Sequence, residues 1–242
     1  MVLSIAVLWL GIVCACGAET VTRDGVRYFV WKAKPEKVRV VWKDADGKPM
    51  RDFPTAKAFL ERKGEKPVML MNGGIFEPGG IPSGLLVQDG KQLHAVNRRD
   101  GKGNFFLRPN GIFLISDKGA RVMETGKWPP VGEKVTYAVQ SGPLLLENGK
   151  VHPAFNQGSK SRLLRNGVGV AEDGTVVFAI SDAKGERYPN LFGFADLFRS
   201  LGCRNALFLD GDISQMRFGK RVEERSNRFG SLIAVVGEVS DQ

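Results

Sequence analysis

The sequence predicts an α+β fold: a single strand-rich domain with a mixed β-sheet, several hairpins and a few packed helices. Three observations carry this. Short alternating apolar runs recur between Asx-Gly pairs at 46–47, 89–90, 110–111, 148–149 and 173–174, and such pairs tolerate the positive φ that tight hairpins need. Only two stretches read as amphipathic helices. Neither a Pro- or Ser-rich linker nor a repeat of fixed period divides the 242 residues.

Taken in order, residues 3–13 form an apolar run that ends in small residues. The run is too short for a membrane span and suits the core of a signal peptide. Residues 1–18 are therefore expected to be an export signal, and 19–242 one domain. Val13, Cys14, Ala15 and Cys16 also fit a lipobox, so a lipid anchor at Cys16 is an alternative to plain secretion. A buried N-terminal element is a third reading. Strands are expected at 26–33, 37–43, 67–71, 84–88, 104–108, 111–116, 136–140 and 143–146. Residues 168–171 and 175–180 flank Asp173-Gly174 and read as a hairpin. One helix is expected over 55–63, capped by Thr55 and ended by Gly64. A second is expected over 191–201, capped by Asn190 and ended by Gly202, leading into a buried strand at 205–209.

Composition narrows the chemistry. Lys and Arg number 35 against 26 Asp and Glu, a net charge of +9. That charge serves solubility or attraction to a polyanion such as a phosphate-rich glycan. No run of five like charges and no nucleic-acid motif occurs, so nucleic acid is not the expected partner. Three Cys exclude a disulfide scaffold, and beyond the signal only Cys203 remains, expected as a buried small hydrophobe. With two His and one body Cys the usual zinc sets are unavailable to this chain. No cofactor is required, and a Ca²⁺ or Mg²⁺ held by carboxylates and carbonyls stays compatible.

Polar residues at the ends of apolar strands mark four candidate places. In the segment 71–77, Asn72 ends a strand, Gly73 and Gly74 permit close backbone approach, and Glu77 follows. An Asn-Gly turn is the simpler alternative. Ser141 and Gly142 follow the next such strand; without a partnered His, Ser141 reads as a hydrogen-bond donor or a turn residue, not a nucleophile. Arg165 and Asp182 fall at the same end of the hairpin 168–180, either as an anion fork with a nearby carboxylate or as an ion pair. In 209–214, Asp210, Gly211, Asp212 and Ser214 follow a buried strand. The carboxylates there can act as base, nucleophile or metal ligand, or simply cap a turn.

These segments in this order resemble the phosphodiester glycosidase family, which has exported bacterial members. The matching segments read NGGIF at 72–76, SGPLLLENGK at 141–150, Arg165 with Gly169 and Asp173-Gly174, Asp182, and NALFLDG at 205–211. The resemblance covers about 70–242. Many members read L-D-G-G-G-S where this chain has LDGDIS, so Asp212 and Ile213 stand in place of glycines. The resemblance implies an exported hydrolase that cuts between a sugar anomeric carbon and the phosphate of a sugar-1-phosphodiester or phosphoglycan. A phosphate ester leaves readily, so the chief need is negative charge near an oxocarbenium-like carbon. Asp210 or Asp182 would supply it, Arg165 would hold phosphate, and Asn72 and Ser141 would hold hydroxyls or phosphate oxygens. A non-catalytic module that binds anionic envelope glycans is the alternative.

Overall fold

The protein is represented by a computed structural model that describes residues 17–219 and 228–237. In chain order its elements are β1 (Gly17–Arg23), β2 (Val26–Ala33), β3 (Val38–Val41), α1 (Phe53–Arg62), β4 (Pro67–Asn72), β5 (Phe76–Glu77), β6 (Ile81–Pro82), β7 (Leu86–Gln88), β8 (Lys91–His94), β9 (Gly111–Ser116) and β10 (Gly119–Glu124). There follow β11 (Val135–Ser141), β12 (Leu144–Glu147), β13 (Lys150–Val151), β14 (Asn166–Ala171), β15 (Val176–Ser181), α2 (Leu191–Ser200), β16 (Cys203–Asp210), β17 (Met216–Phe218) and β18 (Leu232–Val236).

A seven-stranded sheet runs in the order β1-β2-β15-β14-β16-β12-β13. A five-stranded sheet, β10-β9-β11-β7-β8, and a four-stranded sheet, β17-β4-β18-β3, share the main core with it. Phe178 and Leu207 of the first sheet, Phe113 and Val139 of the second, and Met71 and Ile233 of the third pack together there. Helix α2 covers the other face of the seven-stranded sheet through Phe194 and Phe198. Helix α1 covers the other face of the four-stranded sheet through Phe59 and Leu60. The layering follows from strand alternation: residues i and i+2 share a face, so β16 sends Leu207 one way and Phe208 the other.

The α+β class is observed. The sheet pairings, expected to be mixed, are antiparallel in every case among the described residues. Helix α1 is capped by Asp52, which accepts from the Thr55 N–H at 2.9 Å, so Thr55 is the recipient of the cap and not the cap. Asn190 caps α2 as expected, accepting from Gly193 N–H at 2.8 Å. Residues 104–108 do not form a strand. Asn104–Phe106 is a short 3₁₀ turn, because Phe105 is drawn inward beneath Gly84 and its carbonyl accepts from the Asn110 side chain at 2.8 Å. Asn110-Gly111 is accordingly the entry to β9 and not a hairpin turn. Strand β1, with β2, begins at Gly17, inside the segment expected to be an export signal; the rest of that segment, Cys16 included, lies outside the described residues. No helix of the described chain is long and apolar enough to cross a membrane.

Cys203 is buried and its thiol is free, with burial pushing its pKa up to about 12. It packs against Gly169, where an added Cβ would lie 2.7 Å from the Cys203 Sγ. At Gly167 the constraint is harder. A Cβ there would meet the Leu207 carbonyl oxygen at 2.8 Å and the rings of Phe194 and Phe198 within 3.2 Å. Backbone cannot give way as a side chain can. Gly167→Ala is therefore expected to destabilise the fold by about 1–3 kcal/mol in chemical denaturation, the usual cost of overpacking; an unchanged midpoint would show that β14 and α2 can separate at little cost.

Candidate active site

Asp210 ends β16, a strand whose apolar residues are buried on both faces. Its register places it opposite Asn166, which is itself opposite Ile180 of β15. The strand is irregular there: the pairing with β14 shifts between Asn166 and Gly167. Asn166 is fully buried and uses both donors and its oxygen at this corner. Its Nδ2 donates to the Asn72 carbonyl and to Asn72 Oδ1, both at 3.0 Å. Its Oδ1 accepts from the Asp210 N–H at 2.8 Å. Asn72 Oδ1 also accepts from the Gln215 N–H at 2.8 Å, which brings the chain after Asp210 back to β4. Sequence reading passed over both Asn166 and Gln215. The available signal was a polar residue opening an otherwise apolar strand.

Ser141 at the end of β11 ties in the third sheet. Its hydroxyl donates to the Leu209 carbonyl at 2.8 Å and accepts from the Ile75 N–H at 3.3 Å. Asn72 and Ser141 are 1% and 0% exposed. Both were expected to hold substrate oxygens; the structure commits both to holding Asp210 and its loop. Gly73 and Gly142 are likewise occupied by protein. A Cβ at Gly73 would strike the Ser231 hydroxyl at 2.3 Å, and one at Gly142 would strike the Asn110 Cβ at 2.6 Å. The close backbone approach expected at Gly73 is thus to Ser231 and not to an open surface.

Arg165 and Asp182 do sit at one end of the β14–β15 hairpin, as expected, since the Ser181 N–H donates to the Arg165 carbonyl at 3.0 Å. They are not paired with each other. Asp182 is held by Arg27, whose Nε donates to it at 2.6 Å, and its other oxygen accepts from the Lys184 N–H at 3.0 Å. Arg165 is 2% exposed. Its Nε and Nη2 donate to the carbonyls of Pro189 and Ser161, each at 3.1 Å, and its guanidinium lies over the Phe208 ring. The open phosphate fork expected from the sequence is therefore a clamp between two loops. Burial pulls its pKa down to about 10, against the pull of Asp212 and Tyr28, so it stays charged at neutral pH. Glu77 lies elsewhere: it accepts from the Ser83 hydroxyl at 2.8 Å and lines a separate cleft of about 310 Å³ with His94 and Asn97.

What faces outward at the corner is Asp210, Gly211 and Asp212. Asp210 is partly buried and Asp212 exposed. Burial pushes the Asp210 carboxyl up to about 6; the Gly211 N–H, donating at 2.7 Å, lowers it and the Asp212 carboxylate raises it further. Ser214 is buried, and its hydroxyl has no hydrogen-bond partner among the described residues. A Cβ at Gly211 would meet nothing closer than 3.8 Å, so this glycine leaves open space beside the carboxylate. Ile213 turns inward against the α1 core, which anchors the loop. Among the described residues no cluster of three His, Cys, Asp or Glu side chains is placed to hold a metal. The corner can present one poised carboxylate, steadied from behind by uncharged groups, with a buried guanidinium close to its second acid.

Comparison with known proteins agrees with this architecture. Residues 65–234 match the family described as Phosphodiester glycosidase. A protein of Escherichia coli strain K12 described as "Uncharacterized protein YigE" is 32% identical over 204 residues, spanning 84% of this chain and 77% of that protein. The catalytic domain of zebrafish N-acetylglucosamine-1-phosphodiester alpha-N-acetylglucosaminidase, auto-inhibited by its pro-peptide, aligns with a TM-score of 0.64 at 18% identity over 91% of this chain and 81% of that one. A Burkholderia pseudomallei K96243 protein described as exported aligns with a TM-score of 0.56 at 12% identity over 88% and 74%. At such identities the two structures speak for the fold alone. The family match runs from β4 to β18 and takes in both Asn72 and the Asp210 corner, so the chain belongs to the phosphodiester glycosidase family.

Proposed function

We propose that the protein is an exported hydrolase that cleaves the bond between a sugar anomeric carbon and the phosphate of a sugar-1-phosphodiester, with Asp210 as its working carboxylate. The observation that carries this reading is the partly buried Asp210 at the end of β16, with its pKa raised to about 6 and open space at Gly211 beside it. Family membership supports the hydrolase class, and the zebrafish relative acts on a phosphodiester of that kind by its own description. Export is supported by the apolar run at 3–13 and by the description of the Burkholderia protein.

The chemistry follows from the charges. The leaving phosphate needs little protonation, so the barrier lies in positive charge building at the anomeric carbon. An ionised Asp210 answers that charge, either directly as nucleophile or through a water as base. A pKa of about 6 still leaves it mostly ionised at neutral pH, and the upward shift makes it more basic toward a proton. Arg165 acts from behind, adding positive potential for the phosphate while fastening the loops at 161 and 189. Asp182, fixed by Arg27, is a positioning residue for the end of β15. Asn72, Asn166 and Ser141 hold the frame. The alternative, a non-catalytic module for anionic glycans, would use the same corner without turnover.

Sugar release from a panel of sugar-1-phosphodiesters, wild type beside Asp210→Asn, tests the reading. The wild type is expected to release sugar and the variant to be slower by about 10²–10⁴-fold. Release by neither, with both folded and binding a phosphoglycan equally, would favour the binding module. The wild-type rate is expected to rise with pH through about 6 and then level, because the ionised carboxylate is the active form; a rate that falls across that range would make Asp210 an acid instead.

The same group costs stability. Its folded pKa lies above its unfolded value near 3.8, so the folded state binds the extra proton between about pH 4 and 6, and stability falls as pH rises through that window. Asp210→Asn is expected to be more stable than wild type by about 1–3 kcal/mol above pH 6 and equal to it near pH 4. Arg165→Ala, by contrast, should lower stability by roughly 2–4 kcal/mol at every pH, since it strips donors from two carbonyls and leaves a cavity over Phe208. Stability of Arg165→Ala within 0.5 kcal/mol of wild type, roughly the scatter of a surface substitution, would refute the clamp.

A further inference from the structure

A second feature lies along the same end of the seven-stranded sheet. The chain ends there carry, in sheet order, Arg23 on β1, Tyr28 near the start of β2, Asp182 after β15, Arg165 before β14 and Asp210 on β16. Three strand spacings separate β2 from β16, about 14 Å. On the α2 side of this edge is a cleft of about 900 Å³. That is the size of a site for a sizeable small ligand and not of a packing defect.

Its lining is charged, with guanidinium groups in slight excess. Four guanidinium groups reach it, from Arg23, Arg162, Arg187 and Arg199. Three carboxylates oppose them, from Asp24, Glu186 and Asp196. Asp196 is already spanned by Arg23 and Arg199, whose hydrogen bonds more than offset its burial and hold its pKa down. Among the described residues Arg162 donates only to the Tyr188 carbonyl, at 3.2 Å, and it is exposed. Arg187 is exposed, lies against Gly25, and has no ion pair among the described residues. The first turn of α2 opens into the same space at Phe192 and Gly193, presenting the positive end of a ten-residue helix.

Tyr28 supplies the independent sign. It is 2% exposed, lines the cleft, and its hydroxyl makes no hydrogen bond among the described residues. The hydroxyl is not shut off from solvent, so a ligand oxygen in the cleft can reach it as acceptor or donor. Burial and the Asp24 carboxylate push its pKa up, while Arg23, Arg162 and Arg165 pull against them, so the hydroxyl lies among three guanidinium groups. Tyr188 and Phe192 add aromatic surface of the kind that sugar rings cover.

The geometry points to this cleft as a subsite for a phosphate-bearing part of the glycan, held by Arg162, Arg187 and the Tyr28 hydroxyl beside the Asp210 corner. The inference rests on the proposed hydrolase reading for its place on the substrate, where it names the group beyond the cleaved phosphodiester: an anionic one.

The test uses the full chain and two measurements. Binding of a short glycerol-phosphate oligomer and of a neutral oligosaccharide of equal length is followed by calorimetry in wild type, Arg162→Ala/Arg187→Ala and Tyr28→Phe. Wild type is expected to prefer the phosphate oligomer, with affinity falling as salt rises. The double variant should lose about 10- to 100-fold and Tyr28→Phe about 3- to 10-fold, the usual effect of removing charge-assisted and neutral hydrogen bonds. In the second measurement, the wild type's preference in kcat/KM for a sugar-1-phosphodiester with an anionic leaving portion over one with a neutral portion should fall in the double variant, chiefly through KM. Equal binding of both oligomers by wild type, or equal phosphate binding by all three proteins, overturns the subsite. Loss of phosphate binding in the variants with no sugar released by any protein supports the subsite and removes the hydrolase reading.

Discussion

The contact between the Asn72 and Asn166 carboxamides is the interaction on which the corner depends. One Nδ2 is shared by the Asn72 carbonyl and side-chain oxygen, and the opposite end of Asn166 holds the Asp210 N–H. These groups come from the seven-stranded and four-stranded sheets, and Ser141 brings in the five-stranded one through the Leu209 carbonyl. Each residue is almost fully buried, so each bond is made where water cannot replace it. Breaking one would leave its partner unsatisfied in a low-dielectric setting, which costs more than the bond contributes. The three sheets are thereby kept in one arrangement at the point where the chain leaves β16.

That arrangement explains how a single carboxylate can be poised without a charged neighbour to steady it. The groups behind Asp210 are amides and a hydroxyl, which orient its backbone without neutralising it. Burial therefore dominates its ionisation, with Asp212 adding to the effect. The fold tolerates that cost because stability comes from elsewhere, from a core shared by three sheets and from helices on both outer faces. A group whose ionisation works against stability yet sits at the end of a rigid strand is the pattern expected of a functional residue.

The departure of LDGDIS from a glycine-rich loop acquires a physical meaning in this setting. Ile213 replaces backbone freedom with an anchor in the α1 core, and Gln215 is fastened to Asn72. Gly211 alone keeps the open space beside Asp210. Asp212 points outward near the Arg165 guanidinium, so the loop carries a second acid whose charge is felt by both residues. The loop is thus shaped by packing on one side and by electrostatics on the other.

Local pattern was enough for much of the fold. Alternation marked β2, β4, β9 and β15, and the caps Asn190 and Gly202 bounded α2, because strand period and capping are decided by neighbours in sequence. Strands β1, β8, β10 and β13 and the short β5, β6 and β17 were missed, since they exist through partners and not through their own periodicity. The same division runs through the site. Residue order alone singled out Asn72, Ser141, Arg165, Asp182 and Asp210 and the family they resemble. It could not say which of them face a ligand, because a polar side chain at a strand end reads the same whether it meets water or another sheet. Only the packing of three sheets turned Asn72 and Ser141 inward, engaged Arg165 with two backbone carbonyls, paired Asp182 with Arg27, and left Asp210 partly buried beside the open space at Gly211. Composition and local patterning determined that this chain is a basic, disulfide-poor α+β protein; the packing of sheet on sheet, which no local pattern encodes, decided which of its polar residues hold the frame and which stay open to the outside.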